Sequence, residues 1–317
     1  MHLIRDPAEL LDRLQLDPAL LPAARRAAEL FPLRVPVAFA ERMRPGDPAD
    51  PLLRQVLPLD AELAAAAGFA TDPVGDGAAL AGAGVLHKYQ GRALLIATGA
   101  CAVHCRYCFR RHFPYAEANA SADRWAGALA YLRNHIDITE VILSGGDPLT
   151  LSDRRLQALV EELAAIPQLR RLRVHTRLPI MDPARVDDAL LGWLTDSRLE
   201  PVMVIHANHA NEIDGAVAAA LARLRERGVT LLNQAVLMRG VNADVDALAA
   251  LSERLFQVGV LPYYLHLLDR VQGAAHFEVP EDEARALHAA LAARLSGYLV
   301  PKLVREQAGE PGKTRVG

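Results

Sequence analysis

The cysteines of the chain fall in one short window, Cys101-Ala-Val-His-Cys105-Arg-Tyr-Cys108. Spacings of four and then three residues let one loop converge three thiolates on one point. Thiolates are soft ligands, suited to iron–sulfur clusters or to zinc. Buried structural cysteines would be scattered rather than gathered in eight residues. A Cys₃His zinc site with His104 is an alternative, although such sites usually draw on two separated ligand pairs. Haem attachment needs Cys-x-x-Cys-His, and Phe109 stands where that histidine would be. Two further segments invite weighing. Ser144-Gly145-Gly146-Asp147-Pro148, read alone, is an ordinary turn. Lys313, in Gly309-Glu310-Pro311-Gly312-Lys313-Thr314, reads by composition as a solvated side chain. A phosphate loop is excluded there, because Gln307 sits where its first glycine must be.

The elements that position these groups form a rhythm. Strand-like runs at 93–98, 141–144, 172–176, 202–206, 230–237 and 263–268 alternate with helical patterns at 121–134, 152–166, 182–196, 214–227, 243–258 and 280–299. Six β/α units at a spacing of roughly 30 residues are the signature of parallel βαβ construction. The strands read as mostly apolar on both faces, as sheets covered by helices require. A doubly wound sheet and a barrel both fit, and both place chemistry at strand C-terminal ends, where the cysteine loop and the Gly-Gly-Asp-Pro turn lie. Before this repeat, residues 1–85 read as helices and turns. Asp6-Pro7 and Asp17-Pro18 each pair an N-cap with proline at N1. Residues 45–58 read as loop and 75–84 as a Gly/Ala-rich linker. After 299 the period is lost and a short polar tail follows.

Composition narrows the function classes. The chain has 317 residues, 51% of them apolar, which suffices for a sizeable core. With 35 basic and 38 acidic side chains it lacks the basic surface that nucleic-acid binding needs. The N-terminus has no apolar signal core, and no apolar run reaches the roughly 18–20 residues of a membrane span. A cytoplasmic protein without nucleic-acid or membrane partners is the expectation. The sequence is compatible with a homo-oligomer.

Cys-x₃-Cys-x-aromatic-Cys after the first strand of a βα repeat resembles the radical S-adenosylmethionine superfamily. The resemblance implies a radical SAM partial (βα)₆ TIM-like barrel, with a helical N-terminal region (1–85), a core (86–300) and a C-terminal tail (301–317) returning over the barrel mouth. It implies a [4Fe–4S] cluster on Cys101, Cys105 and Cys108, with one iron left open to chelate S-adenosylmethionine. One electron then yields a 5′-deoxyadenosyl radical. Tyr107 takes the position that contacts adenine. Ser144, Gly145, Gly146 and Asp147 resemble the glycine motif near the methionyl amino group, where a missing Cβ permits close approach.

The match narrows with His87-Lys88-Tyr89-Gln90-Gly91-Arg92, Cys108-Phe109-Arg110-Arg111, Asn208-His209-Ala210-Asn211-Glu212, Asn233-Gln234-Ala235-Val236-Leu237 and Arg239-Gly240-Val241-Asn242. Together they are similar to the lysine 2,3-aminomutase family, and most to its branch serving elongation factor P β-lysylation. The resemblance implies that pyridoxal 5′-phosphate is carried on Lys313. It places Arg92, Lys88 and Gln234 near the cofactors, Arg110 on the substrate carboxylate and Asp269 on its distal ammonium. Without it, Arg110 reads as a surface arginine and Asp269 as a helix cap. A second family aspartate, seven residues before the cofactor lysine, is replaced here by Glu306. The zinc-binding C-terminal extension of larger aminomutases is not expected. The implied reaction is L-lysine to (R)-β-lysine, fed by a flavodoxin- or ferredoxin-type donor, with a separate ligase passing the product to elongation factor P. Glutamate 2,3-aminomutation, or a non-catalytic zinc or iron–sulfur module, are the alternatives.

Overall fold

The computed structural model describes residues 1–82, 84–115 and 125–316. Eleven strands are present among them: β1 (Leu3–Ile4), β2 (Val35–Pro36), β3 (Val85–Tyr89), β4 (Arg92–Thr98), β5 (Glu140–Gly145), β6 (Arg171–Thr176), β7 (Glu200–Ile205), β8 (Thr230–Val236), β9 (Leu261–His266), β10 (Lys302–Arg305) and β11 (Thr314–Arg315). The N-terminal region contributes the helices α1 (Pro7–Arg13), α2 (Leu21–Leu30) and α3 (Val37–Ala40). The repeat adds α4 (Ala126–Asn134), α5 (Asp153–Ala164), α6 (Leu178–Met181), α7 (Asp188–Thr195), α8 (Gly215–Glu226), α9 (Val245–Gln257) and α10 (Glu281–Arg294).

The helix starts follow from local chemistry. Asp6 and Asp17 cap as their Asp-Pro pairs predict, each accepting from the amide two residues on. Asp214 and Asp244 cap α8 and α9, and three acids fill the first turn of α10, where the helix dipole favours them. In α5 the buried Leu156, Leu159, Val160 and Leu163 share one stripe at helical spacing. The helix expected over 182–196 is split. Proline starts a short 3₁₀ turn at Pro183–Arg185, and Asp187 caps a new helix, α7. Of the helix expected over 121–134, residues 121–124 lie outside the described residues.

The large sheet runs β11-β10-β9-β8-β7-β6-β5-β4-β3 without a reversal of order. A doubly wound sheet must reverse at its switch point, so this order selects the barrel-like alternative. Strands β4 to β10 are all parallel, and β3 and β11 lie antiparallel at the two edges. No ladder joins β3 to β11 among the described residues. The edges nevertheless meet through side chains: Tyr89 at the end of β3 donates to Glu306, just after β10, at 2.5 Å. Nine strands in sequence whose edge residues touch must curve round, which makes the sheet a barrel-like arc.

Two expectations change. The polar tail continues the sheet rather than only covering its mouth. β10 is a seventh parallel strand beside β9, and β11 folds back on it. The core strands are also not apolar on both faces. Alternate residues lining the concave face include Arg92, Arg173, His175, Gln234, Tyr264 and His266. A sheet with helices outside and a ligand-sized space inside needs apolar residues only on its outer face.

Candidate active site

The concave face encloses a cavity of about 520 Å³, within the roughly 300–1,000 Å³ common for small-molecule sites. All three cysteines, the Gly145–Gly146 turn and Lys313 line it. So do the other residues singled out in the sequence: Tyr107, Ser144, Asp147, Gln234, Arg92, Lys88, Arg110 and Asp269.

The cysteine loop leaves β4 at Gly99 and is clamped by the N-terminal layer. Arg106 is fully buried. It donates to both oxygens of Glu62 at 2.8 and 2.6 Å and to the Phe31 carbonyl at 2.7 Å. Arg111 joins the same carboxylate at 2.9 Å. Arg34 reaches the Cys101 carbonyl at 2.6 Å. Gly145 and Gly146 secure the loop from the other side. A Cβ on either would collide with the carbonyl oxygen of Thr98 or Ala100, and Gly145 sits at φ +121°. These glycines therefore serve the close approach of β5 to the cysteine loop, besides any ligand.

Burial holds two of the three thiols in the protonated form. Burial pushes the Cys101 thiol well up, and the neighbouring Cys108 adds to this. Burial and Cys105 raise Cys108 to about 11. Such thiols ionise readily only when cationic metal compensates them. Among the described residues, however, no three His, Cys, Asp or Glu side chains close around a single ion position. The expectation that the loop converges them on one point is corrected to that extent. A cubane binds each thiolate at a different iron, so its sulfurs need not converge on one ion, and this donor set fits a cluster better than a mononuclear zinc. His104 does not complete a Cys₃His set either. Its Nδ1 contacts the Pro32 carbonyl at 2.8 Å, and its ring stacks on Phe31 with centroids 4.7 Å apart.

Asp147 is engaged within the protein. Its carboxylate accepts from the Thr176 hydroxyl at 2.7 Å, from the Arg177 amide at 2.8 Å and from the Leu149 and Leu178 amides at 3.0 and 3.1 Å. It thereby ties the turn after β5 to the end of β6. The Tyr107 hydroxyl meets Asn208 at 2.6 Å and Arg177 at 2.7 Å, and Gln234 meets His206 at 2.7 Å. Arg92 lies over the Tyr89 ring, 4.5 Å from its centroid.

Elsewhere on the cavity wall Lys313 Nζ donates to Glu306 at 2.7 Å. The β10–β11 hairpin sets this pair, since Arg305 opposes Thr314 and the flanking residues face each other. Burial works against the charge of Glu306, yet Lys313, Tyr89 and Lys88 outweigh it and hold its carboxyl below the usual range. Lys88 bridges Glu306 at 3.5 Å and Asp76 at 2.6 Å. Asp76 also binds Arg110 Nε at 2.7 Å, while Arg110 Nη1 reaches Ser144 at 3.3 Å. Asp269 accepts no side-chain hydrogen bond among the described residues. Burial, opposed by Lys313 and reinforced by Glu306, lifts it to about 7.

Several groups here escaped sequence reasoning. Asp76 lies in the stretch read as a linker, yet it is buried and orients Arg110. His175, His206 and His266 stand neutral around the cavity, burial pushing each down, and His206 falls to about 3. Arg177, Gln55 and Glu212 form a buried polar knot beside Cys105. The polar alternations Arg173-Val-His175 along β6 and Tyr264-Leu-His266 along β9 were the sequence signals of an inward polar face.

The fold and the cysteine loop define a class, and comparison with known proteins agrees. The family model of the Radical SAM superfamily matches residues 95–194, and the chain is a radical SAM protein. Its fold resembles the crystal structure of Streptococcus suis SuiB, with a TM-score of 0.50 at 13% identity over 69% of this chain and 50% of that one. Full-length relatives are more specific. The chain is 53% identical to the L-lysine 2,3-aminomutase of Escherichia coli (strain K12), covering 98% of this chain and 91% of the relative. It is 50% identical to the L-lysine 2,3-aminomutase of Haemophilus influenzae, covering 98% and 92%. The chain belongs to the L-lysine 2,3-aminomutase family and is an enzyme of that family.

Proposed function

We propose that this enzyme converts L-lysine to β-lysine by moving the amino group from C2 to C3, using a [4Fe–4S] cluster, S-adenosylmethionine and pyridoxal 5′-phosphate. The observation carrying this reading is one cavity lined both by three cysteines and by Lys313 paired with Glu306. Cys101, Cys105 and Cys108 would hold the cluster, and Lys313 would carry the pyridoxal phosphate, with Lys88, Arg92 and Arg173 as cations for its phosphate. When bound, the cluster and S-adenosylmethionine supply a hydrogen-abstracting radical, and pyridoxal phosphate supplies a conjugated imine across which nitrogen migrates.

The remaining steps belong to the chain itself. Arg110 spends Nε on Asp76 and one Nη1 hydrogen on Ser144, so its other donors remain for the lysine carboxylate. Asp76 keeps the guanidinium oriented without occupying that face. Asp269, whose side chain has no partner among the described residues, receives the distal ammonium, whose burial without a carboxylate would be costly. That preference for a cation at the far end favours lysine over glutamate. Glu306 holds the Lys313 ammonium whenever the lysine is not bonded to cofactor. The neutral imidazoles offer hydrogen bonds without adding charge that would repel a cationic substrate.

The reading extends to a cytoplasmic role in which free L-lysine is the substrate and a flavodoxin- or ferredoxin-type protein delivers the electron. The product, (R)-β-lysine, would go to a separate ligase that modifies elongation factor P. The support for this is the similarity of motifs in the sequence. The test is anaerobic reconstitution followed by incubation with L-lysine and with L-glutamate. β-Lysine should accumulate with the wild type, and Lys313→Ala should lose both product and the near-ultraviolet imine absorbance while retaining iron. Turnover by Lys313→Ala, or β-glutamate from L-glutamate at a matching rate, would overturn the assignment.

A further inference from the structure

Arg177, at the end of β6, has no role in the scheme above, yet it is 4% exposed and lies against the cysteine loop. Its Nη1 donates to Cys105 Sγ and to the Tyr107 hydroxyl, both at 2.7 Å. Its Nη2 donates to Gln55 at 2.6 Å and to Glu212 at 3.1 Å. Glu212 is itself fully buried and also accepts from the Asn208 and His209 amides and from Gln55. One guanidinium thus connects a cluster ligand, the residue placed at the adenine position, the N-terminal layer and the loop after β7. A structural ion pair alone would need only Glu212.

We propose that Arg177 raises the reduction potential of the [4Fe–4S] cluster through its hydrogen bond to Cys105, with Glu212 as the opposing charge that limits the effect. This rests on the reading that Cys101, Cys105 and Cys108 hold that cluster. The cluster gains one electron from a low-potential donor, and no atoms are exchanged. The reduced form is more negative by one charge, so a cation donating a hydrogen bond to a ligating sulfur stabilises it over the oxidised form. The sulfur retains lone pairs for this donor when it binds iron. Burial strengthens the effect, because no solvent screens it. Arg177 therefore acts as a tuning residue for electron acceptance, and its hydrogen bond to Tyr107 places the same charge beside the nucleotide.

The experiment is an electron paramagnetic resonance redox titration of reconstituted enzyme, without S-adenosylmethionine or pyridoxal phosphate, reduced stepwise with dithionite. Wild type lacking any [4Fe–4S] signal would remove the underlying reading. With the cluster present, Arg177→Met should lower the reduced-to-oxidised ratio at fixed potential tenfold, a shift of about 59 mV for one electron. Arg177→Lys, keeping the charge, should fall between the two. Glu212→Gln should move the ratio upward. Opposite shifts support the proposal, whereas a merely structural knot would lose cluster in both variants without such a split. If Arg177→Met cannot hold iron, Glu212→Gln decides: a raised potential supports the proposal, and an unchanged or lowered one overturns it. Equal potentials in wild type and a fully loaded Arg177→Met would also overturn it.

Discussion

Two regions of the cavity wall, around the cysteine loop and around Lys313, are both rich in charge, but they are built differently. Around the cysteine loop the ion pairs are sealed. The side chains of Arg106, Arg111 and Glu62 are 0%, 2% and 1% exposed, and the two arginines share one carboxylate. Around Lys313 the pairs are open and shared. Lys88, Glu306 and Lys313 are 18%, 12% and 23% exposed, Lys88 divides itself between two carboxylates, and Asp269 has no side-chain partner among the described residues. The sealed arginines, Arg106 gripping Glu62 bidentately and Arg111 through one nitrogen, fix backbone geometry, as a rigid inorganic group requires. Flexible ammonium groups with alternative partners suit a site where one lysine must give way to another. On the proposed function, the difference separates holding from exchanging.

The largest effect should come from unsealing the cysteine region. Glu62→Gln leaves two buried guanidinium groups facing a neutral amide. Removing one partner of a buried ion pair costs about 3–5 kcal/mol. Chemical denaturation should show that loss, and iron analysis should show a cluster-poor protein. A stability change under about 1 kcal/mol with full iron content would mean that the seal is not what fixes the loop.

Asp269→Asn tests the exchanging region and should act on catalysis rather than on stability. Losing a hydrogen bond to a charged group is worth about 1.5–3 kcal/mol, so kcat/KM for lysine should fall roughly 10- to 100-fold. Iron content and S-adenosylmethionine binding should persist. Equal losses in lysine use and S-adenosylmethionine binding would place Asp269 in another role.

The same carboxylate predicts a pH dependence. With its carboxyl at about 7, Asp269 is protonated below neutrality and cannot attract an ammonium. The kcat/KM profile should therefore rise through pH 7, and Asp269→Asn should abolish that limb. The stability effect has the opposite sign to the usual paired carboxylate. The native state binds this proton more tightly than the unfolded chain, whose aspartate titrates near 3.9, so this group's contribution falls as pH rises from about 4 to 7. Asp269→Asn should flatten that part of a stability-against-pH curve.

What the sequence revealed follows the same division. The cysteine loop is a local arrangement, eight residues at fixed spacing, and is legible without any fold. The six β/α units are legible because helix and strand periods differ. The clamp around the loop is not, since Glu62 and Arg106 are 44 residues apart and Gln55 and Arg177 are 122 apart. Such pairs leave no periodic mark. Asp76 was hidden by its setting, because glycine and alanine around it suggest a linker while its partners are chosen by tertiary packing. The four-residue β10 was missed since Lys302 and Arg305 break its apolar run, and β-structure in so short a segment depends on the neighbouring strand rather than on propensity.

The smallest effect is expected at Glu306. Glu306→Asp shortens the side chain by one methylene at a position where the glutamate reaches two ways. One oxygen takes the Tyr89 hydroxyl from across the gap between sheet edges, and the other takes Lys313. The lysine is flexible and can follow a shorter carboxylate. Tyr89 is anchored by β3 and cannot, so the edge-to-edge bond is the contact that should be lost. The expected cost is about 1 kcal/mol of stability with less than a tenfold change in kcat/KM for lysine. A double-mutant cycle with Tyr89→Phe isolates the cause. In the Tyr89→Phe background Glu306→Asp should cost almost nothing more, because the bond is already absent. If the two costs simply add, the glutamate serves Lys313 or the substrate directly, and the extra methylene has nothing to do with closing the arc.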